Sequence, residues 1–135
     1  MKIRWECKKN GVMNGNSVLL DTNIVLYFLN GEETLIPILE QKSLFLSFIT
    51  QIELLGSKNI QPVDFIPIKS FIEECTVIDI TPGIKETAIQ VRKNYSLKLP
   101  DSIIMATSLW LNMPLITADK DFKKVEIADL IFFKR

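Results

Sequence analysis

The stretch Val18-Leu19-Leu20-Asp21-Thr22-Asn23-Ile24-Val25-Leu26-Tyr27-Phe28-Leu29 decides the fold. Its first three residues form a short apolar run without alternation, which is typical of a strand buried on both faces. The apolar run after Asn23 is longer and stops at Asn30-Gly31, so it predicts a buried helix. A buried strand that leads directly into a buried helix indicates an α/β domain with a mostly parallel sheet.

The same alternation continues along the chain. Further strands are predicted at 44–48, 76–80, 115–117 and 130–133. Helices are predicted at 32–41, 50–55, 64–74, 82–95 and 100–112, with a short helical turn at 120–124. Pro37 suggests a break in the first of these helices. No internal repeat or Gly/Ser linker interrupts the pattern, so we predict a single domain over residues 18–135.

Composition excludes several classes of protein. The 135 residues include 16 basic and 16 acidic side chains, two cysteines and no histidine. Zero net charge argues against coating nucleic acid or a membrane by bulk electrostatics, and two cysteines are too few for a disulfide framework. Without histidine there is no Ser-His or Cys-His pair and no imidazole metal site. No export signal or membrane span is evident, so we expect a cytoplasmic protein.

Residues 1–17 are predicted to be an N-terminal extension. They are polar and basic and precede the first strand. One hypothesis is that residues 1–12 form a flexible appendage. The other is that they are the product of an upstream start and that Met13 begins the natural protein.

Four acidic residues stand alone in apolar surroundings: Asp21, Glu53, Asp101 and Asp119. Three of them follow predicted strands, and the fourth opens a predicted helix. Burying an isolated carboxylate is strongly unfavourable. These acids are therefore either exposed helix caps or joint ligands of a cation.

Helix capping explains each acid separately. The candidate caps are Asp21 or Asn23, Thr50 paired with Glu53 as a capping box, Asp101, and Asp119 or Asp121. For Asp21 or Glu53 considered alone, capping is the favoured interpretation. Four separate caps do not explain why all four acids fall where a parallel sheet would bring them to one edge.

A shared cation does explain that placement. Carboxylate oxygens without histidine or thiolate suit Mg²⁺ or Mn²⁺ rather than zinc or copper. Such ions ionise water at neutral pH and stabilise the charge that develops on a phosphodiester. The residue chemistry therefore favours metal-dependent phosphoryl chemistry.

Four motifs, taken in order, resemble those of the PIN-domain ribonucleases, and most closely the VapC-type toxins of toxin–antitoxin modules. They are residues 19–27 (LLDTNIVLY), 47–56 (SFITQIELLG), 99–107 (LPDSIIMAT) and 115–122 (LITADKDF). Each motif is weak alone, but all four in this order in a short chain are a strong signal. The resemblance implies a three-layer α/β/α sandwich around a mostly parallel sheet.

The resemblance also implies roles for individual residues. Asp21, Glu53, Asp101 and Asp119 would bind one or two Mg²⁺ or Mn²⁺ ions. Asn23 and Thr117 would hold these ligands or a water molecule through hydrogen bonds. In the fourth motif either Asp119 or Asp121 would approach the metal, and we place Asp119 first.

The substrate implied is RNA, often a structured RNA such as tRNA or rRNA, and the implied partners are an antitoxin and a second copy of the chain. Arg92, Lys93 and Lys98 precede the third motif. An exposed, solvated face is the favoured interpretation for these cations, and contact with RNA phosphates is the second. Residues 64–71 are predicted either as a core helix, which is slightly favoured, or as a surface for one of these partners.

Two other functions compete with this one. A haloacid-dehalogenase-like phosphatase also begins with an Asp after its first strand, but it needs Asp-x-Asp, and Asn23 occupies the second position. A PIN-like scaffold that binds RNA or protein without cutting is the other alternative. The intact acidic set argues against that scaffold.

Overall fold

The computed structural model describes residues 16–134, in which five strands alternate with helices. The strands are β1 (Ser17–Leu20), β2 (Ser43–Ser47), β3 (Thr76–Ile78), β4 (Leu115–Thr117) and β5 (Leu130–Phe132). The helices are α1 (Thr22–Leu29), α2 (Ile36–Leu39), α3 (Phe48–Leu55), α4 (Pro62–Glu74), α5 (Pro82–Asn94) and α6 (Leu99–Leu111). Two 3-10 turns lie at Glu33–Leu35 and Lys120–Lys124. The predicted start at Met13 and the rest of residues 1–15 lie outside the described residues.

All five strands are parallel and are ordered β3-β2-β1-β4-β5. Strand β1 is therefore central, with β2 on one side and β4 on the other. The chain builds the sheet outward from β1 to β3, and β4 and β5 then fill the opposite side of β1. The prediction of an α/β/α sandwich with a mostly parallel sheet is confirmed.

Alternate residues of the buried strands face two different helical layers. Val18 and Leu20 contribute to a cluster formed with α1, α2 and α4, whereas Leu19 contributes to one formed with α5 and α6. All three side chains are at most 2% exposed. A strand buried on both faces has no polar side to alternate with, which explains why the strand sequences read as continuous apolar runs.

The boundary between β2 and α3 differs from the prediction. The strand ends at Ser47, one residue before the predicted end, and α3 begins at Phe48 rather than Thr50. The hydroxyl of Ser47 accepts a hydrogen bond from the backbone N–H of Ile49 at 3.1 Å and so caps the helix. The predicted capping box of Thr50 and Glu53 is therefore wrong, because an earlier hydroxyl takes the cap.

Two further helix predictions need correction. Lys98, not Asp101, occupies the cap position of α6, and Asp101 lies in the first turn, where a carboxylate favours the helix dipole. The helix predicted over 32–41 is a 3-10 turn followed by the short α2, with Pro37 near its start. Since Pro37 has no backbone N–H, it is tolerated in a first turn but would interrupt a longer helix. The remaining predicted element boundaries agree with the structure to within about two residues.

Within residues 16–134 no helix combines the length and the apolar character needed to cross a bilayer.

Candidate active site

The predicted acidic residues lie around the carboxyl end of β1. Asp21 follows β1 directly, and Thr117 is the last residue of the neighbouring β4. The order of strands reverses between β1 and β4, and crevices at such reversal points are where open parallel sheets bind ligands.

Asp21 is buried, and both of its carboxylate oxygens accept hydrogen bonds. The backbone N–H of Thr22 donates to Oδ1 at 2.8 Å, and the hydroxyl of Thr117 donates to Oδ2 at 2.7 Å. The first of these bonds places Asp21 at the cap of α1, so the capping interpretation is confirmed for this residue. Burial raises the pKa of Asp21 above its usual value, the two hydrogen bonds oppose that rise, and repulsion from Asp119 and Glu53 adds to it.

Thr117 also connects Asp21 to Asp119. Its hydroxyl oxygen accepts a hydrogen bond from the backbone N–H of Asp119 at 3.0 Å while its proton goes to Asp21. Asp119 Oδ1 in turn accepts from the backbone N–H of Asp121 at 2.9 Å and caps the following 3-10 turn. Asp119 therefore caps this turn and, like Asp21, still belongs to the carboxylate cluster.

Glu53 lies on the exposed side of α3 and reaches Thr22. The hydroxyl of Thr22 is 2.7 Å from Glu53 Oε1 and 3.1 Å from the hydroxyl of Thr50, which is fully buried. No role was predicted for Thr22, and Thr50 does not act as the predicted helix cap. The sequence offered only a hydroxyl directly after Asp21 and another three residues before Glu53.

Asp101 differs from the other three acids in its surroundings. The carboxylate is half-buried and accepts no hydrogen bond from any of the residues 16–134. Burial, followed by repulsion from Asp21, Asp119 and Glu53, raises its pKa to about 6, and the positive charge of Lys98 opposes that rise. Because three carboxylates act on it, Asp101 belongs electrostatically to the same cluster.

The remaining predicted site residues are less closely connected to the cluster. Asn23 is exposed on the first turn of α1. Asp121 is exposed and pairs with Lys124 at 3.5 Å, so its carboxylate turns toward a lysine rather than toward Asp21.

The three predicted RNA-contacting cations differ in placement. Arg92 donates from Nη1 to the backbone carbonyl of Leu97 at 3.1 Å, and this bond ties α5 to the loop that precedes α6. Lys93 is exposed at the end of α5. Lys98 is exposed at the start of α6 and is close enough to act on the charge of Asp101.

The chemistry of these side chains suits a metal ion, but their positions do not form a complete coordination site. No group of three or more Asp, Glu, His or Cys side chains in residues 16–134 is arranged to hold a metal ion. The donors nevertheless suit a hard divalent cation, because four mutually repelling carboxylates gather here without histidine or thiolate. The four donors come from segments next to β1 and β4, from α3 and from α6.

A groove of about 410 Å³ lies away from this cluster. It runs between the C-terminal half of α1, the segment before α4, and α4 itself. The residues that line it are Leu26, Leu29, Asn30, Ser57, Asn59, Ile60, Asp64, Pro67 and Ile68. None of the four clustered carboxylates contributes to it.

Comparisons with known proteins agree with the fold. The family model of the PIN domain matches residues 18–128. No curated protein matches the chain. Among solved structures, a toxin–antitoxin complex from Klebsiella pneumoniae is 30% identical, with a TM-score of 0.72, over 84% of this chain and 95% of that chain.

Two other solved structures are similar. VapBC-1 from nontypeable Haemophilus influenzae is 25% identical, with a TM-score of 0.69, over 86% of this chain and 97% of that chain. FitAcB from Neisseria gonorrhoeae is 20% identical, with the same TM-score of 0.69, over 86% of this chain and 96% of that chain, and supports the fold alone. The matched residues 18–128 contain all four clustered carboxylates, and the chain belongs to the PIN domain family, within which it resembles the VapC-type toxins.

Proposed function

We propose that this protein is a metal-dependent endoribonuclease and the toxin of a toxin–antitoxin pair. PIN domains are generally nucleases, so membership of the family supports a nuclease of the VapC type. The observation that carries the proposal is the convergence of Asp21, Glu53 and Asp119 through shared hydrogen bonds with Thr22 and Thr117, with Asp101 close enough to feel their charges. Such an arrangement is unfavourable unless a cation compensates it.

The residues that would hold Mg²⁺ or Mn²⁺, one ion or two, are Asp21, Glu53, Asp101 and Asp119. When bound, the ion supplies an ionised water and neutralises charge on the phosphodiester. The protein holds Asp21 through Thr22 and Thr117, whereas the carboxylates of Glu53, Asp101 and Asp119 remain accessible. We propose that these more accessible side chains close around the ion, while Asp121, paired with Lys124, stays outside the ligand set.

Among the cations predicted to contact RNA, the structure favours Lys98 and Lys93. Lys98 is exposed and lies beside Asp101, so a phosphate held by Lys98 would be close to the carboxylate cluster. Lys93 is exposed in the last turn of α5, and we propose it as a second phosphate contact. Arg92 donates to the carbonyl of Leu97, so we propose that its main contribution is to position this loop.

The antitoxin and the second copy of the chain remain proposals supported by the solved relatives. The relatives from Klebsiella pneumoniae and Haemophilus influenzae were solved as toxin–antitoxin or VapBC assemblies. In this chain α4 buries Ile68 and Phe71 but exposes Val63 and Ile66, which are 79% and 72% exposed. The buried Ile68 and Phe71 agree with the prediction of a core helix for residues 64–71, and we propose that the exposed side of this helix, with Ile66, is where a partner packs.

The experiment is an RNA cleavage assay with the purified protein in Mg²⁺, Mn²⁺ or EDTA. We expect metal-dependent cleavage that falls at least about a hundredfold in Asp21→Asn and in Asp101→Asn, because each variant removes one carboxylate of the cluster. Asp129→Asn is the matched control, since Asp129 is exposed before β5 at the opposite edge of the sheet. Induction in bacteria should arrest growth with the natural sequence but not with Asp21→Asn.

The other outcomes decide between the remaining functions. If no RNA is cut in any of the metal conditions, the non-cutting scaffold becomes the better interpretation. Release of phosphate from a simple ester without cleavage of RNA would instead support the phosphatase. Cleavage that persists in EDTA would contradict the metal dependence.

A further inference from the structure

We propose that Thr22 is a positioning residue that holds the carboxylates of Asp21 and Glu53 in place together, and that the buried Thr50 orients its hydroxyl. The proposal rests on the proposed function for the role of Glu53. The hydrogen bonds that support it do not depend on any activity.

Thr22 contacts two different carboxylates through two different groups. Its backbone N–H donates to Asp21 Oδ1 at 2.8 Å, and its hydroxyl donates to Glu53 Oε1 at 2.7 Å. Both distances lie in the range of strong hydrogen bonds to ionised acceptors. Since Glu53 repels Asp21, a donor between them holds together two groups that would otherwise move apart.

The hydroxyl of Thr22 has only one proton, and this fixes the direction of its hydrogen bond with Thr50. A threonine hydroxyl has a single proton, and that of Thr22 is used on the carboxylate of Glu53. The hydroxyl of Thr50, 3.1 Å away, must therefore be the donor to Thr22. Thr50 is fully buried, so its proton has no solvent alternative, and the chain of bonds runs from Thr50 through Thr22 to Glu53.

Without the hydrogen bond from Thr22, the side chain of Glu53 would not be fixed. Glu53 is exposed on α3 and forms no ion pair with any of the residues 16–134. A long exposed side chain with no partner samples several rotamers, and fixing it has an entropic cost. The hydroxyl of Thr22 fixes one oxygen of Glu53 in advance, which leaves its other oxygen free to bind an ion.

The experiment compares Thr22→Val, which keeps the shape but removes the hydroxyl, with Thr22→Ser, which keeps the hydroxyl. We expect Thr22→Val to lower kcat for RNA cleavage about 10- to 100-fold with little change in KM, because the residue acts through Glu53 and not on the RNA. Thr22→Ser should retain activity to within a few-fold. Thr34→Val is the matched control, because the hydroxyl of Thr34 donates to Glu32 at 3.1 Å beyond the far end of α1.

A second measurement is independent of RNA cleavage and of metal. In EDTA, Thr22→Val should lower Tm by about 3 °C more in the natural sequence than in the Glu53→Ala background. The reason is that only the protein with Glu53 loses the hydrogen bond between Thr22 and Glu53. Equal shifts in the two backgrounds would overturn the proposal, as would a failure of Thr22→Ser to retain activity. If the natural protein cuts no RNA, the proposed function fails, and the comparison of Tm shifts alone decides whether Thr22 positions Glu53.

Discussion

Asp21 and Asp101 belong to one carboxylate cluster, but the protein treats them in opposite ways. Asp21 ends the central strand, is buried, and has a hydrogen-bond donor on each oxygen. Asp101 lies in the first turn of α6, is half-buried, and accepts no hydrogen bond from residues 16–134. Burial raises the pKa of both carboxyl groups, but only at Asp21 do hydrogen bonds oppose the rise. Asp21 is therefore part of the hydrogen-bonded framework of the fold. The carboxylate of Asp101 is partly buried and repelled by its neighbours, a state that a bound cation would relieve.

The largest expected effect is on Asp21. Asp21→Ala leaves the backbone N–H of Thr22 and the buried hydroxyl of Thr117 without their acceptor, which costs about 2 kcal/mol. Removal of a buried, repelled charge returns only part of this cost, so we expect the free energy of unfolding to fall. Urea unfolding in EDTA measures this change, with Asp129→Ala as the exposed control. A variant as stable as the natural protein would show that the two hydrogen bonds do no more than offset the burial and repulsion of the Asp21 charge.

The opposite sign is expected at Asp101. Asp101→Asn removes a partly desolvated charge that three carboxylates repel, so the metal-free protein should become more stable at pH 7. Because the group is partly exposed and solvent screens it, we expect a gain on the order of 1 kcal/mol. The same unfolding measurement tests it. Destabilisation would mean that Asp101 has a favourable partner in the folded state, which would remove the contrast with Asp21.

The smallest expected effect is the pH dependence of that gain. The folded protein holds a proton on Asp101 up to about pH 6, whereas the unfolded chain releases it near 3.8, so the folded state binds more protons between these values. The contribution of Asp101 to stability therefore falls as pH rises from about 4 to about 6 and stays low above it.

Measuring Tm in EDTA checks this sign. The advantage of Asp101→Asn over the natural protein should shrink when the pH is lowered from 7 to 5, since protonation of Asp101 then removes the same charge. An advantage that stays constant over this range would show that Asp101 does not titrate there.

The sequence predicted the parts of this site that depend on the order of elements along the chain. Asp21, Thr117 and Asp119 each follow or end an apolar strand, and parallel strands bring such residues to one edge whatever the packing details. Phe45 lies in the apolar run predicted as a strand over residues 44–48, and it is buried, with 2% exposure.

The contacts that cross between helices could not be predicted in this way. The bond from Thr22 to Glu53 joins residues 31 positions apart and depends on how α1 meets α3. Asp121 pairs with Lys124 within one 3-10 turn, and Arg92 donates to the carbonyl of Leu97 in the following loop. These contacts are local, but they compete with the metal and RNA contacts that were predicted for the two side chains. Periodicity places a residue on an element, but it does not say which of several possible partners the side chain will meet.

The bond between Thr117 and Asp21 joins residues 96 positions apart, near the beginning and the end of the domain. During synthesis, Asp21 emerges from the ribosome long before Thr117 and Asp119 do. A partly synthesised chain thus carries Asp21 without the donor and the neighbouring acid that complete its surroundings. Under the proposed function, cleavage of RNA would therefore require almost the whole of the described domain to be synthesised first.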